Sequence, residues 1–169
     1  KLILNIRDFK VIDQIVVVDN LSTDNSYEEL KNVQTDRISV IQTDKNGGYS
    51  YGNNYGIRFL LDKIYVDVVI VANPDVIFDD AFIMRAVDDL IVEDVDAVTG
   101  KMLDTSNRFV PNCLKIDTYC EDLINCTLLI KKMSAKKKIH LMENGLSYTN
   151  SLPGSLFAIT GVAYKAING

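Results

Sequence analysis

The stretch that most constrains the fold is residues 66–78, VDVVIVANPDVIF. Residues 68–72 are β-branched or small, too few for an amphipathic helix, and apolar on both faces, which predicts a central parallel strand covered by helices. Pro74 ends this strand because proline has no N–H for a sheet ladder. Ligands of open α/β sheets bind beyond the carboxyl ends of strands, where we expect Asn73 and Asp75. The same residue types are equally typical of a plain turn.

The composition favours one domain and limits the function classes. A chain of 169 residues can bury a sizeable core, so we expect a single domain over 1–169. With 18 basic and 23 acidic residues the net charge is −5, which argues against a nucleic-acid partner. No signal peptide and no apolar run of about 18 residues is evident, so a cytoplasmic location is expected.

The three cysteines are consistent with that location. Cys113, Cys120 and Cys126 match neither a zinc site nor a disulfide framework. We therefore interpret them as free thiols in a reducing compartment.

Two earlier apolar runs also end in polar residues. Residues 2–4 predict a strand followed by Asn5, and residues 15–18 predict a strand followed by Asp19 and Asn20. Parallel neighbours need a crossover of a dozen or more residues, and too few lie between these runs. We therefore hypothesise that residues near positions 5–6 are absent from the sequence. Asp19 needs polar partners because a carboxylate that closes a buried strand loses its hydration.

The segment after Asp19 predicts a turn and a helix. Ser26 and Glu29 have the spacing of a capping box, and we expect the helix to continue to about Val33. Ser22 and Asp24 precede it in a run of hydrogen-bonding side chains, for which simple turn chemistry is the alternative to a binding role.

A glycine-rich loop follows the next predicted strand, residues 38–41. The loop and the helix after it, which we expect to continue to about Lys63, include four glycines and three asparagines: Gly47, Gly48, Gly52, Gly56, Asn46, Asn53 and Asn54. Exposed N–H groups at such a helix start suit a diphosphate. The dinucleotide fingerprint G-x-G-x-x-G is not matched. The loop tyrosines, Tyr49, Tyr51 and Tyr55, suit stacking on a base or sugar, with ordinary packing as the alternative.

The remaining pattern predicts a helix over about 80–92, a strand over 97–103, and a Pro-Gly turn into a strand within LPGSLFAIT. The apolar stripe of the helix comprises Ile83, Ala86, Val87, Leu90 and Ile91. Asp79 and Asp80 suit its N-cap better than a metal site.

Between residues 111 and 152 the pattern is weak, and helix and strands stay equally open for 113–132. The lysine patch, residues 131–138, is interpreted as a solvated loop, with contact to anionic lipid or a phosphorylated acceptor as the alternative. His140 is interpreted as structural or surface-exposed.

In this order the motifs IVVVDNLSTDNS, NGGYSYGNNYGI, VIVANPDV and PGSLFAI resemble the family 2 glycosyltransferases, in particular their rhamnosyltransferase-like branch. The resemblance implies a GT-A fold: an α/β, Rossmann-like three-layer sandwich with a mostly parallel central sheet. It also implies inverting transfer of a sugar from a UDP- or dTDP-sugar to a saccharide or lipid-linked acceptor in bacterial surface polysaccharide synthesis. Peripheral association with the inner face of the cell membrane would suit such an acceptor.

The resemblance also implies roles for individual residues. Asp19 would contact the uracil or thymine ring with Asn5 beside it, and Asp75 would bind Mg²⁺ or Mn²⁺ in a DXD-like motif that begins at Asn73. Residues implied near the nucleotide or lining the donor pocket are Asn20, Ser22, Asp24, Asn46, Gly47, Gly48, Asn53 and Asn54. Gly154 and Ser155 would face the sugar or the acceptor.

The sequence departs from the family in one respect. The general base of the family lies in a downstream acidic motif, which we expect beyond Gly169, so the chain is expected to be C-terminally incomplete. Alternatives are a non-catalytic nucleotide-sugar-binding domain and a nucleotidyltransferase of similar fold. The latter would need a basic glycine-rich loop after the first strand. A receiver-like domain would leave the Asn46–Gly48 loop unexplained.

Overall fold

The computed structural model describes residues 1–110, 147–149 and 151–167. The expectations for the three cysteines, the lysine patch and His140 lie outside these residues. The chain forms two compact units, Lys1–Gly100 with Gly154–Gly169, and Lys101–Pro153. No helix of the described residues is long and apolar enough to cross a membrane.

The first unit alternates helices and strands, which confirms the α/β class. Its elements are α1 (Leu2–Ile6), β1 (Ile15–Asp19), α2 (Ser26–Lys31), β2 (Ile38–Gln42), α3 (Tyr49–Leu61), β3 (Val68–Ala72), α4 (Asp80–Val92) and β4 (Ala97–Val98). In the second unit, β5 (Met102–Leu103) and β6 (Phe109–Val110) form an antiparallel hairpin. The first unit is completed by β7 (Leu156–Thr160) and α5 (Gly161–Ala166). Residues 97–103 therefore form two short strands rather than the single strand predicted.

The expected mostly parallel central sheet is not seen among the described strands. β1 and β2 form a parallel pair in which Asp19 lies opposite Gln42. β3 instead pairs antiparallel with β7, in the order β3-β7-β4. An apolar run such as residues 68–72 predicts burial, but it carries no information on the direction of its neighbour. That direction depends on β7, which lies more than 80 residues further along the chain.

The first predicted strand, residues 2–4, is wrong, because this segment belongs to helix α1. The Arg7 N–H donates to the Ile3 carbonyl at 3.0 Å, so the helical turn continues through Asn5 and Ile6. Ile6 is buried against Ile15 and Ile38. A run of three apolar residues is too short to reveal a helical period. With no strand before β1, the short crossover that motivated the hypothesis of absent residues does not arise.

Arg37 holds the loop that leads into β1. Its half-buried guanidinium donates to the carbonyls of Arg7 at 3.2 Å, Phe9 at 2.9 Å and Ile12. A guanidinium offers five N–H donors in a fixed plane, so one side chain can satisfy several loop carbonyls. The loop is thereby held against Arg37, the residue directly before β2, whose carbonyl accepts the Ile15 N–H at 2.8 Å.

Helix α4 matches its predicted bounds, and the Asp79 carboxylate accepts the Phe82 N–H at 2.9 Å as its N-cap. In the predicted stripe the helix buries Ile83, Ala86 and Leu90, while Val87 is half-buried. Ile91 is 72% exposed, so its predicted burial is wrong. The buried residues have i, i+3, i+7 spacing and form one face of the helix, and Ile91 lies outside this face.

Helix α2 begins at the predicted Ser26, but no capping box forms. Its N-cap is Asn25, which makes no side-chain cap bond, and the helix ends at Lys31. The Asp24 carboxylate instead accepts the Ser26 N–H at 3.0 Å. Asp24 thus accepts the Ser26 N–H that Glu29 would accept in the predicted capping box.

Helix α3 packs closely on β1, and this contact depends on glycine. A Cβ at Gly56 would lie 2.6 Å from Val18 Cγ2, whereas a Cβ at Gly52 would approach Asn20 no closer than 3.5 Å. The helix can therefore lie this near the strand only with a glycine at position 56.

We expect Gly56→Ala to lower the free energy of unfolding by about 1–3 kcal/mol, because overpacking forces the helix from the strand. Gly52→Ala is the matched control. It should leave stability unchanged or raise it by up to about 1 kcal/mol, since alanine is the better helix former. Urea denaturation of both variants measures the difference, and equal stabilities would contradict the close α3–β1 packing.

Candidate functional site

Polar groups gather where β1, β2 and β3 end and where α3 begins. Asn20, directly after β1, donates to the Gly48 carbonyl at the start of α3. Tyr49, the first residue of α3, donates its hydroxyl to the Gly154 carbonyl. The Ser155 carbonyl in turn accepts the Asn73 N–H at 2.8 Å, directly after β3. This chain of contacts brings most of the predicted site residues together.

Asp19 is the buried acid of this region, with 4% of its surface exposed. Its Oδ2 accepts the Ser22 N–H at 3.1 Å and the Gln42 amide at 2.8 Å. The parallel register, which places Gln42 opposite Asp19, delivers the second of these donors. The prediction that Asp19 has polar partners is confirmed.

The hydrogen bonds keep Asp19 ionised. Burial by itself raises the pKa of the carboxyl, but the bonds from Ser22 and Gln42 outweigh this effect and leave the pKa below its ordinary value. Hydrogen bonds to the charged form of an acid favour that form. The end of β1 therefore carries a fixed negative charge at neutral pH.

Asn20 joins β1 to the loop before α3. Its Nδ2 donates to Asn46 Oδ1 at 3.2 Å and to the Gly48 carbonyl at 3.0 Å. Its Oδ1 lies 3.1 Å from the Thr43 hydroxyl, whose single hydrogen can go there or to the Lys45 carbonyl at 2.8 Å. The Asn20 side chain thus contacts three positions of one loop.

The start of α3 presents backbone N–H groups. Gly48 is its N-cap, with φ at 81°, a conformation that favours glycine, and it supplies no side-chain cap. Asn46 Oδ1 accepts the Gly48 N–H at 3.3 Å, and the Gly47 N–H donates to the Lys45 carbonyl at 3.0 Å. The first N–H groups of a helix have no intrahelical acceptor, so this end favours anions.

Asp75 lies in the turn that follows β3. The Val76 N–H donates to the Asn73 carbonyl at 3.3 Å and closes the turn, leaving the Asp75 side chain exposed. In the described part of the chain, no three acidic, histidine or cysteine side chains are grouped to hold a metal. A cation at Asp75 would therefore take its other ligands from water or a substrate, as a hard cation readily does.

Some predicted site residues lie in different surroundings. Asn5 is exposed within α1 and does not follow a strand, so the expected position is wrong. Asn54 accepts the hydroxyl of Tyr164 at 3.1 Å and joins α3 to α5, while Asn53 beside it is half-buried. Ser22 and Asp24 are exposed, and their bonds to Asp19 and Ser26 are the turn chemistry given as the alternative.

The loop tyrosines make contacts within the protein. The Tyr51 hydroxyl donates to the Asp44 carboxylate, and this bond lowers the pKa of Asp44. The Tyr51 and Tyr55 rings lie 6.3 Å apart, and Lys45 lies over the Tyr51 ring. For Tyr51 these contacts favour the packing alternative.

Gln42 and Thr43 also belong to this region, although the sequence pattern did not indicate them as site residues. Thr43 is 2% exposed, and its N–H donates to the Asp19 carbonyl at 3.0 Å. The available signal was the position of both residues at the end of the third predicted strand, beside the strand that Asp19 closes.

Comparison with known proteins decides the family. The family model of glycosyl transferase family 2 matches residues 3–141. The chain belongs to this family. The resemblance inferred from the motifs is confirmed at this level, while the rhamnosyltransferase-like branch stays a prediction.

One curated protein similar to this chain is the low-salt glycan biosynthesis hexosyltransferase Agl10 of Haloferax volcanii. It is 43% identical over 65 residues, which cover 38% of this chain and 20% of the relative. The chain thus spans about a fifth of the length of the curated relative that it matches. No solved structure is significantly similar to this chain.

We expect Asp19→Ala to lower the free energy of unfolding at pH 7 by about 1–3 kcal/mol, because the Gln42 amide and Ser22 N–H lose their acceptor. The pKa of Asp19 is depressed in the folded protein, so its stabilisation is present above the ordinary aspartate pKa of about 3.9 and is lost as the pH falls through the folded value. Denaturation at pH 7 and through the range of about pH 5 to 3 measures both effects.

The Asp19→Ala variant should lose less stability on acidification than the unsubstituted protein. Asp36→Ala, at an exposed turn aspartate, is the control and should resemble the unsubstituted protein. Parallel pH profiles for Asp19→Ala and the unsubstituted protein would contradict the proposed ionisation.

Proposed function

We propose that this protein transfers a sugar from a UDP- or dTDP-sugar to a saccharide or lipid-linked acceptor, with inversion and with help from Mg²⁺ or Mn²⁺. The observation that carries the proposal is the ionised, buried Asp19 linked through Asn20 to the uncapped start of α3. A hydrogen-bond acceptor and a set of N–H donors thus lie side by side. Uracil and thymine offer a ring N–H, and a diphosphate offers oxygens, which are the complementary groups.

The anionic part of the donor suits the α3 start. Backbone N–H groups and the helix dipole stabilise negative charge there. A departing nucleoside diphosphate gains negative charge in the transition state, so donors held in place before reaction lower the barrier. Asn46 and the first N–H groups of α3 are the groups assigned to the diphosphate.

A divalent cation would be held by Asp75. The carboxylate is exposed in the turn after β3, whose residue Asn73 bonds to Ser155. Such an ion, when bound, supplies positive charge to the diphosphate oxygens. Gly154 and Ser155 would line the sugar or acceptor side, since the Ser155 carbonyl accepts the Asn73 N–H at the end of β3.

The remaining requirement is a general base within hydrogen-bond reach of the acceptor hydroxyl. We assign this role to none of the residues that the structure describes. The relative is named a glycan biosynthesis hexosyltransferase, which supports a hexose as the transferred sugar and a glycan as the product. Synthesis of surface polysaccharide at the inner face of a membrane fits such a product.

We expect UDP or dTDP with Mn²⁺ to raise the melting temperature, because a ligand that binds only the native state stabilises it, by about 2.7 kcal/mol at a concentration of 100 Kd. Asp75→Asn should lose the metal-dependent part of this shift and keep the part seen with nucleotide alone. Differential scanning fluorimetry with and without Mn²⁺ separates the two parts.

The matched control is Asp88→Asn, an exposed aspartate on α4. It should shift like the unsubstituted protein. A full metal-dependent shift in Asp75→Asn would remove the metal role, and no shift with either nucleotide would contradict donor binding. Release of UDP or dTDP from a sugar donor, measured with saccharide acceptors, distinguishes transfer from the non-catalytic alternative.

A further inference from the structure

The amide of Asn20 is committed to the loop before α3. Its Nδ2 donates to Asn46 Oδ1 and to the Gly48 carbonyl, which uses both N–H groups. A carbonyl can only accept, so the amide nitrogen must be the group that faces Gly48. The side-chain amide of Asn20 therefore has no N–H group left to donate to a ligand.

The same contacts orient Asn46. Asn46 Oδ1 accepts from Asn20 at 3.2 Å and from the Gly48 N–H at 3.3 Å. With its oxygen used twice in the loop, the NH₂ group of Asn46 is turned away from these two partners. Asn46, rather than Asn20, is thus the side chain that offers donors to an anion.

The loop held in this way meets the start of α3 at Gly48. Gly48 adopts a left-handed backbone conformation and gives α3 no side-chain cap. The Gly48 carbonyl accepts both the Gly52 N–H, at 3.2 Å, and the Asn20 amide, at 3.0 Å. Gly52 is buried beside the Asn20 side chain, so the first turn of the helix lies against it. The bonds from Asn20 to Asn46 and Gly48 join residues that are 26 and 28 positions apart, and they fix the helix start to the end of β1.

We propose that Asn20 is a positioning residue of the donor site: it holds the Asn46–Gly48 loop in the conformation that binds the nucleotide diphosphate, without contacting the donor through its own amide hydrogens. This inference rests on the proposed function. It differs from the role implied by the family resemblance, in which Asn20 itself lies at the nucleotide. Asn20 thus links the end of β1 to the start of α3 through hydrogen bonds.

The test compares Asn20→Asp, Asn20→Ala and, as a matched control for the added charge, Asn32→Asp at the exposed C-cap of α2. The aspartate keeps the shape of Asn20 but places a charge against Asn46 Oδ1 and the Gly48 carbonyl. Hydrogen exchange of the backbone amides of residues 48–52 is measured without ligand. Affinity for UDP and dTDP with Mn²⁺ is measured on the same proteins by calorimetry.

We expect exchange over residues 48–52 to rise about tenfold and nucleotide affinity to fall about tenfold in both Asn20 variants, with the larger effects for aspartate. Exchange in β2 and both measurements for Asn32→Asp should stay unchanged. Weaker binding with unchanged exchange would make Asn20 a direct ligand contact and overturn the proposal. Faster exchange with unchanged affinity would overturn it as well, since the loop would then not belong to the donor site.

A separate outcome concerns the proposed function. If the unsubstituted protein binds neither UDP nor dTDP, the donor assignment fails, and the role of Asn20 at a donor site fails with it. If the unsubstituted protein binds nucleotide and the Asn20 variants match it in both measurements, only the positioning role is overturned.

Discussion

The buried carboxylate of Asp19 is the constraint on which the rest of the site depends. A charge with 4% of its surface exposed is tolerated only where donors replace its lost hydration. Gln42 supplies one donor from the neighbouring strand, and Ser22 supplies another from the turn that follows β1. The Gln42 donor requires the parallel pairing of β1 and β2 to end in register, so the charge and the sheet edge are fixed together.

From that edge, a short series of contacts builds the surface assigned to the donor. Asn20 continues from Asp19 to the Asn46–Gly48 loop, and Gly56 lets α3 lie against β1. Tyr49 then contacts Gly154, and Ser155 bonds to Asn73. These contacts bring together groups from distant parts of the sequence. The groups are the Asp19 carboxylate, which accepts hydrogen bonds, the N–H donors at the start of α3, and the exposed Asp75 carboxylate. These are the chemical groups that a nucleotide diphosphate and a cation need.

Several elements could be predicted because their signals are local. Residues 15–18 and 38–41 lie in strands, α4 has its predicted bounds, and Asp79 caps it. Predictions failed where the deciding contact was distant or the run was short. Residues 2–4 form a helix that packs on Ile15 and Ile38, and Asn5 therefore does not follow a strand. Gln42 and Thr43 became visible as partners of Asp19 only through the strand register.

The sequence by itself determined the family and led to the proposed site residues, because motif order and residue type are properties of the chain alone. It indicated that Asp19, the asparagine-glycine loop and Asp75 belong to one site at strand ends. Only the tertiary structure decided that β3 pairs antiparallel with β7, that Asn54 bonds to Tyr164, and that Asn20 holds the loop. Strand direction and side-chain partners depend on contacts between residues 26 to 110 positions apart, and no local pattern in the sequence specifies them.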